Sequence, residues 1–396
     1  MKYVLRKQAF HLPKNVIYLD GNSLGPLPNS VTQRISTLLN EQWGDHLISG
    51  WNLDGWIDQP LTVANRIARL IGAPEASVVL GDTLSIKVHQ ALSAALAMRP
   101  KRKVILSDTG NFPTDLYMAQ GLINQLDNDL ELKLVEPNQI EAAIDHNIAA
   151  VLLTQVDYKT GRLHDMQSIT DKAHQNGSVM IWDLAHSAGA IPVDLSASNA
   201  DFAVGCTYKY LNGGPGAPAF IYARPDIINH IEPALCGWLG HDSPFDFSLD
   251  YKPAMNIQRM RVGTPPVIQI AALDEALKLW DDIDMFDVRA ASIELTEHFI
   301  ALVESNCPQL MLASPRNPQQ RGSQVSFSFE HGYAAMQALI EHNVVGDFRA
   351  PNIMRFGFTP LYIDKSDVEN AAAILTKIIN KKVWDQPKYH TRSKVT

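Results

Sequence analysis

Between residues 60 and 225 the chain alternates short apolar runs with longer stretches of helical spacing. The runs cover 77–80, 103–106, 130–135, 149–156, 178–184, 201–207 and 217–222, several of them bounded by Gly, Asp or Asn. Buried strands read this way. Stretches such as 85–98 and 165–176 have the spacing of amphipathic helices. Alternating strand and helix predicts an α/β fold, with a mostly parallel sheet covered on both faces. One connection differs. Residues 207–217 are too few for a crossover helix, which takes about a dozen or more. The run 217–222 is therefore predicted to lie antiparallel to its neighbours, giving a seven-stranded sheet with one reversed strand.

Beyond residue 265, helical patterns at 267–280 and 286–304 lead into strand-like runs at 323–329 and 353–358. Helical patterns at 333–341 and 367–381 complete a smaller α+β module. The expected division is an N-terminal segment 1–50 packing with the small domain, a large domain 51–285 and a small domain 286–396. The polar tail 386–396 is expected to fray.

Composition narrows the function. A chain of 396 residues, 46% hydrophobic and 19% charged, buries a full core without disulfide or metal staples. Net charge is −8, and no long Lys/Arg run offers a basic face, which argues against a nucleic-acid partner. Cys206, Cys236 and Cys307 are too sparse for a disulfide framework and form no C-x-x-C pair; a reducing cytoplasm fits them. The first fifteen residues lack the apolar core of a signal peptide. No apolar run approaches the ~20 residues of a membrane helix. The thirteen histidines show no metal-ligand spacing, so no metal is expected. No G-x-x-x-x-G-K-[ST] loop occurs. A small-molecule enzyme is the expected class.

The chemistry-bearing residues stand at strand ends. Ile181-Trp-Asp-Leu-Ala-His186 and 201–216 each finish an apolar run with polar groups, where ligands of parallel sheets bind. Lys209 follows Asp183 by 26 residues, room for one crossover, so both can face one crevice. Pyridoxal phosphate needs such a pair: a lysine amine for a Schiff base and a carboxylate to keep the pyridine nitrogen protonated. An isolated Asp is more often a cap and an isolated Lys a solvated surface residue. Here Lys209 sits between Tyr208 and Tyr210 and runs into Gly213-Gly214-Pro215-Gly216, which permits close backbone approach. Gly81-Asp-Thr-Leu-Ser85 opens a helix after a strand. It reads either as an anion cradle at a helix N-terminus or as a plain cap by Asp82 or Thr83. Asn111-Phe-Pro-Thr-Asp115 could stack an aromatic on a planar ring or be a simple turn.

These segments resemble the kynureninase family, pyridoxal-phosphate enzymes of the aspartate-aminotransferase fold (fold type I). The likeness runs through Tyr18-Leu-Asp-Gly-Asn-Ser-Leu-Gly-Pro26, Phe112-Pro-Thr-Asp115, Trp182-Asp-Leu-Ala-His186, Cys206 to Gly216, Gly237-Trp-Leu-Gly-His241, Arg261-Val-Gly-Thr-Pro-Pro266 and Arg355 through Pro360-Leu-Tyr362. It implies that Lys209 bonds the cofactor and shuttles the α-proton, and that Asp183 pairs with the pyridine nitrogen with His186 supporting that edge. Phe112 would stack on the ring. Leu84, Ser85 and Tyr208 would hold the phosphate, Tyr208 also donating a proton later. Asp115 and Thr154 would line the cofactor, and Trp238 and Thr264 would reach it from the partner of a homodimer. Arg355 would take the substrate α-carboxylate in bidentate fashion, with Trp51, His241 and Gly263 around the substrate.

The implied reaction is hydrolysis of L-kynurenine to anthranilate and L-alanine in tryptophan catabolism or NAD biosynthesis. Gly263, Thr264 and Trp51 imply a preference for L-kynurenine over 3-hydroxykynurenine. Other readings remain open. One is a cysteine desulfurase, selenocysteine lyase or class V aminotransferase. Desulfurases and selenocysteine lyases need a mobile reactive cysteine on a C-terminal loop, and no cysteine follows Cys307. Another is a pyridoxal-phosphate-binding protein without catalysis.

Overall fold

The structure, a computed structural model, describes residues 4–126 and 129–391. Three short strands come first: β1 (Phe10–His11), β2 (Ile17–Tyr18) and β3 (Leu27–Pro28). The large sheet follows: β4 (Val78–Leu80), β5 (Val104–Asp108), β6 (Glu131–Val135), β7 (Ile148–Thr154), β8 (Val179–Asp183), β9 (Phe202–Gly205) and β10 (Phe220–Ala223). Their spatial order is β4-β10-β9-β8-β7-β5-β6. β10 pairs antiparallel with both β4 and β9, and the other pairs are parallel. The short connection before β10 thus has the predicted consequence.

All seven positions of β7 are buried, because helices cover both faces. Alternate residues enter opposite cores. Val151, Leu153, Met180 and Trp182 join one apolar cluster; Ala150, Leu152, Val179 and Ile181 join the other. The helix Leu84–Met98 buries Val88, Ala91, Leu92 and Ala95 in that second cluster.

The smaller module is an antiparallel sheet. Its strands are β11 (Met311–Leu312), β12 (Gln324–Ser328), β14 (Asp347–Arg349) and β15 (Ile353–Gly357), in the order β11-β12-β15-β14. The helices Met285–Asn306 and Lys365–Asn380 pack on it, the second opened by an Asp364/Asp367 capping box. β2 pairs in parallel with β13 (Val344–Val345). Leu19 then bridges two elements: its N–H donates to the Val345 carbonyl and its carbonyl accepts from the Gly357 N–H, both at 2.7 Å. A few residues on, the Gly25 N–H donates to the Tyr208 carbonyl at 2.8 Å. A Cβ on Gly25 would collide with the Lys209 carbonyl. The segment from Asp20 to Gly25 therefore lies between the small sheet and the Lys209 loop.

The tail departs from expectation. Pro387–His390 forms a helical turn and Tyr389 is buried against the core. Its apolar ring, absent from a purely polar reading of the tail, holds this turn in place. Residues 392–396 lie outside the described residues. Among the described residues, no helix is long and apolar enough to cross a membrane.

Candidate active site

β7 and β8 end together, with Thr154 and Asp183 as register partners. Asp183 is buried, and its Oδ1 accepts from the Ala185 N–H at 2.8 Å. It turns onto its own following backbone rather than capping a helix. The Thr154 hydroxyl is shared between Asp183 Oδ2 at 3.3 Å and Asn111 Oδ1 at 2.5 Å. Asn111 is a hub, its side-chain amide also donating to Ser107 Oγ and accepting from the Phe112 N–H at 2.7 Å. Phe112 is thereby held at the start of the helix Pro113–Leu126, 39% exposed, its ring edge-on to Tyr158 at 5.1 Å.

Burial pushes the Asp183 carboxyl up to about 6, with Lys209 and two hydrogen bonds pulling the other way. Burial, and next Asp183 itself, raise Asp115 well above the ordinary range. Two buried carboxyls thus act on one another and cannot both ionise easily.

Lys209 lies in the loop after β9. The Thr207 hydroxyl donates to the Pro218 carbonyl at 2.7 Å, and Gly214 and Gly216 take the left-handed backbone that folds the loop back. Lys209 Nζ stands 3.0 Å from His186 Nε2. His186 is held well below its ordinary value by burial and then by Lys209, so its ring is neutral. The direct partner of His186 is thus the lysine amine. Tyr208 is half-buried; Cys206 beside it and then burial raise its phenol, so it stays protonated.

The helix Leu84–Met98 starts after Thr83, which makes no side-chain cap hydrogen bond. Asp82 does not cap it either, because its carboxylate pairs with Lys87 Nζ at 3.1 Å. Lys87 is fully buried and also donates to Gln90 Oε1 and the Met260 carbonyl. With both local caps withdrawn, the helix keeps N–H groups for an anion at Leu84 and Ser85.

Arg355 is 2% exposed. Its fork is bidentate, but to Asp347: Nε donates to Oδ1 at 2.5 Å and Nη2 to Oδ2. Nη2 also reaches Ser23 Oγ at 3.1 Å, and Nη1 the Tyr158 carbonyl. The Nε and Nη2 edge of the fork is thus engaged within the protein. Asp347, Tyr158 and Ser23 together fix the orientation of this arginine.

Lys209, Asp183, His186, Thr154, Asp115 and Tyr208 thus come together. Trp51, Trp238, His241, Gly263 and Thr264 lie elsewhere on the chain. Trp51, edge-on to Trp56 at 5.8 Å, lines a 330 Å³ cavity with Trp43, Thr264 and Pro265. Gly263 and Thr264 are exposed and border a second, 310 Å³ cavity with Gly81, Asp82 and Thr83. Trp238 is 42% exposed and edge-on to Phe245; His241 packs on Tyr251 and accepts from the Ser243 N–H. Sequence reading gave no role to Asn111, Asp20, Ser23, Tyr158, Lys87 or Asp347. For the first three the signal was available, as polar residues inside segments already singled out. For Asp347 it was not, because its importance comes from pairing with Arg355 across two strands.

The site fits pyridoxal phosphate. His186 Nδ1 and Asp115 Oδ2 are buried without partners, Lys209 supplies an amine close to the buried Asp183 carboxyl, Phe112 has an open ring and the helix start at Leu84 is uncapped by side chains. Among the described residues, no group of three or more His, Cys, Asp or Glu is arranged to hold a metal ion.

The fold and these groups define a pyridoxal-phosphate-dependent enzyme of fold type I. The fold is that of a cysteine desulfurase from Thermococcus onnurineus (TM-score 0.81, 20% identity, 95% of this chain and 98% of that one). It is also that of one from Escherichia coli (TM-score 0.79, 18% identity, 95% and 98%). Residues 288–375 match the kynureninase C-terminal domain, and residues 47–200 match the DegT/DnrJ/EryC1/StrS aminotransferase family. The chain is 47% identical over 397 aligned residues to kynureninases of Pseudomonas fluorescens and Burkholderia pseudomallei, covering 98% of this chain and 95% of each relative. It belongs to the kynureninase family. Cys307, the last cysteine of the chain and the one a desulfurase loop would use, is buried, with burial raising it and its Sγ donating to Thr376.

Proposed function

We propose that this protein hydrolyses L-kynurenine to anthranilate and L-alanine, using pyridoxal phosphate held at Lys209. The observation that carries this reading is the Lys209–His186 pair beside the buried Asp183, in a chain related to kynureninases along nearly its whole length. When bound, the cofactor supplies an electron sink for the charge released at the α-carbon and on Cβ–Cγ cleavage.

The protein's own groups do the rest. Asp183 faces the ring nitrogen and holds its proton by charge. Lys209 binds the cofactor and moves the α-proton, with neutral His186 beside its amine. Tyr208, which keeps its proton, is the donor for later steps. Phe112 stacks on the ring, Leu84 and Ser85 hold the phosphate, and Asp115 and Thr154 line the edge. Arg355 meets the substrate α-carboxylate.

The same reading includes a cytoplasmic homodimer serving tryptophan breakdown, with Trp238 and Thr264 completing the partner's phosphate site. Trp51, Gly263 and His241 surround the aryl group. The cavity at Trp51 is mainly apolar, which gives a 3-hydroxyl little to bind and favours L-kynurenine. Anthranilate fluorescence after adding L-kynurenine to the cofactor-loaded protein tests the reaction. A signal linear in enzyme supports it, and none with the yellow cofactor still bound refutes it. A higher kcat/KM for 3-hydroxykynurenine overturns the preference.

A further inference from the structure

Arg355 sits inside a cluster with more acid than the capture of a carboxylate needs. Asp347 takes two of its nitrogens, and Arg349 Nη2 reaches the same carboxylate at 2.8 Å. Ser23 joins the group, its hydroxyl donating to Asp347 Oδ2 at 2.9 Å while accepting from Arg355. Asp20 faces this cluster from the end of β2. Leu19 fixes it there through its bonds to Val345 and Gly357, the strands that carry Asp347 and Arg355 lying alongside. Asp20 Oδ1 is buried without a hydrogen-bond partner.

The groups facing Asp20 are Asp347 and Arg349 on β14, Arg355 on β15, Ser23 on its own loop, Tyr18 on β2, and Tyr210 and Tyr362 from the loops after β9 and β15. Burial keeps the phenols of Tyr18, Tyr210 and Tyr362 protonated. The charge count is then set by two arginines, Asp347 and Asp20. With Asp20 neutral the cluster carries one net positive charge, which one incoming carboxylate balances. With Asp20 ionised it is already neutral, and a carboxylate makes it net negative in a buried place.

We propose that Asp20 is a substrate-positioning residue whose proton accompanies capture of the ligand's α-carboxylate at Arg355. The proposal rests on the assignment of Arg355 as the carboxylate site. Burial, and next Asp347, push Asp20 up to about 7, so the proton is exchanged near neutral pH. An anion bound at Arg355 raises Asp20 further, and by linkage affinity for that anion falls as pH rises past the free protein's value.

Propionate separates this proposal from the reaction, since it carries the carboxylate but no amine and is not turned over. Its affinity for the holoenzyme is measured by calorimetry across pH, with proton uptake read from buffers of different ionisation enthalpy. The expected result is a Kd that rises by up to ~tenfold per pH unit above about 7, with uptake of up to one proton. Asp20→Asn should flatten both, and with them the rise of KM with pH. A wild-type Kd that does not change with pH overturns the proposal. So does an Asp20→Asn protein that keeps the wild-type slope, or one that loses kcat with KM unmoved. Should Asp20→Asn fail to fold, proton uptake by the wild-type protein alone decides. Absent turnover of L-kynurenine with intact proton-linked propionate binding would remove the reaction and leave Asp20's role standing.

Discussion

Asp183 is a carboxylate placed where water does not reach it, and its charge is costly until a cation arrives. Its carboxyl stands at about 6 against an ordinary 3.8. Between those values the folded cofactor-free chain holds a proton that the unfolded chain releases. Stability contributed by this group is therefore lost as pH rises through that window, and the ionised acid is a liability above it. Asp183→Asn should raise the Tm of cofactor-free protein by about 2 °C at pH 8 and hardly at all at pH 4. The same change should lower turnover by roughly a hundredfold or more, because the neutral amide no longer holds the ring proton. Differential scanning calorimetry and anthranilate release check the two halves. Lys209→Ala should abolish turnover and the cofactor's bound absorbance while leaving far-UV circular dichroism unchanged. Turnover surviving that change would refute the assignment of Lys209. Lys209 and Asp183 were legible in the sequence because each ends an apolar run with an isolated polar group. Asn111 stood inside a segment already singled out, but its task of bonding Ser107, Leu152 and Thr154 on β5 and β7 joins distant parts of the chain and leaves no local pattern.

At the scale of elements, the start of the helix Leu84–Met98 shows why a cap cannot be read from residue type alone. Asp82 and Thr83 are both good capping residues, yet neither caps. Asp82 is drawn to Lys87, a lysine on a buried helical face where sequence periodicity expects an apolar side chain. Lys87 also binds the Met260 carbonyl, so one ammonium ties the anion cradle to the segment leading to Gly263 and Thr264. Lys87→Met should leave the Asp82 carboxylate uncompensated beside the phosphate. The cofactor Kd should rise by roughly tenfold, about 1.4 kcal/mol. Adding Asp82→Asn should recover most of that loss, because the repelling charge is gone. Non-additivity in this double-mutant cycle, read by cofactor fluorescence titration, is the check. An equal, additive loss in both variants would mean that Lys87 acts through packing alone.

At the scale of the whole molecule, the run of strands and the reversed β10 followed from connection lengths, and the order β4-β10-β9-β8-β7-β5-β6 did not. Strand order depends on which faces the helices cover, and no single-sequence period records that. The surface raises a second question of the same scale. Trp43, Ile48, Leu53, Phe245, Phe247 and Leu249 are 55%, 80%, 69%, 61%, 74% and 102% exposed, large apolar side chains that a partner chain could cover. Trp51 and Thr264 line a cavity that none of Lys209, Asp183 or His186 borders. Both facts fit a site whose walls come from two chains. Hybrid dimers test it. A Lys209→Ala chain lacks the amine but keeps Trp238 and Thr264; a Trp238→Ala, Thr264→Ala chain has the reverse defect. If the two residues serve the partner, a hybrid contains one intact site, made from the lysine of one chain and the walls of the other. Refolding equal amounts together should then restore about a quarter of wild-type activity, since half the dimers are hybrids with one working site of two. If Trp238 and Thr264 serve their own chain, every lysine-bearing site in the mixture stays defective and the activity remains that of the double variant.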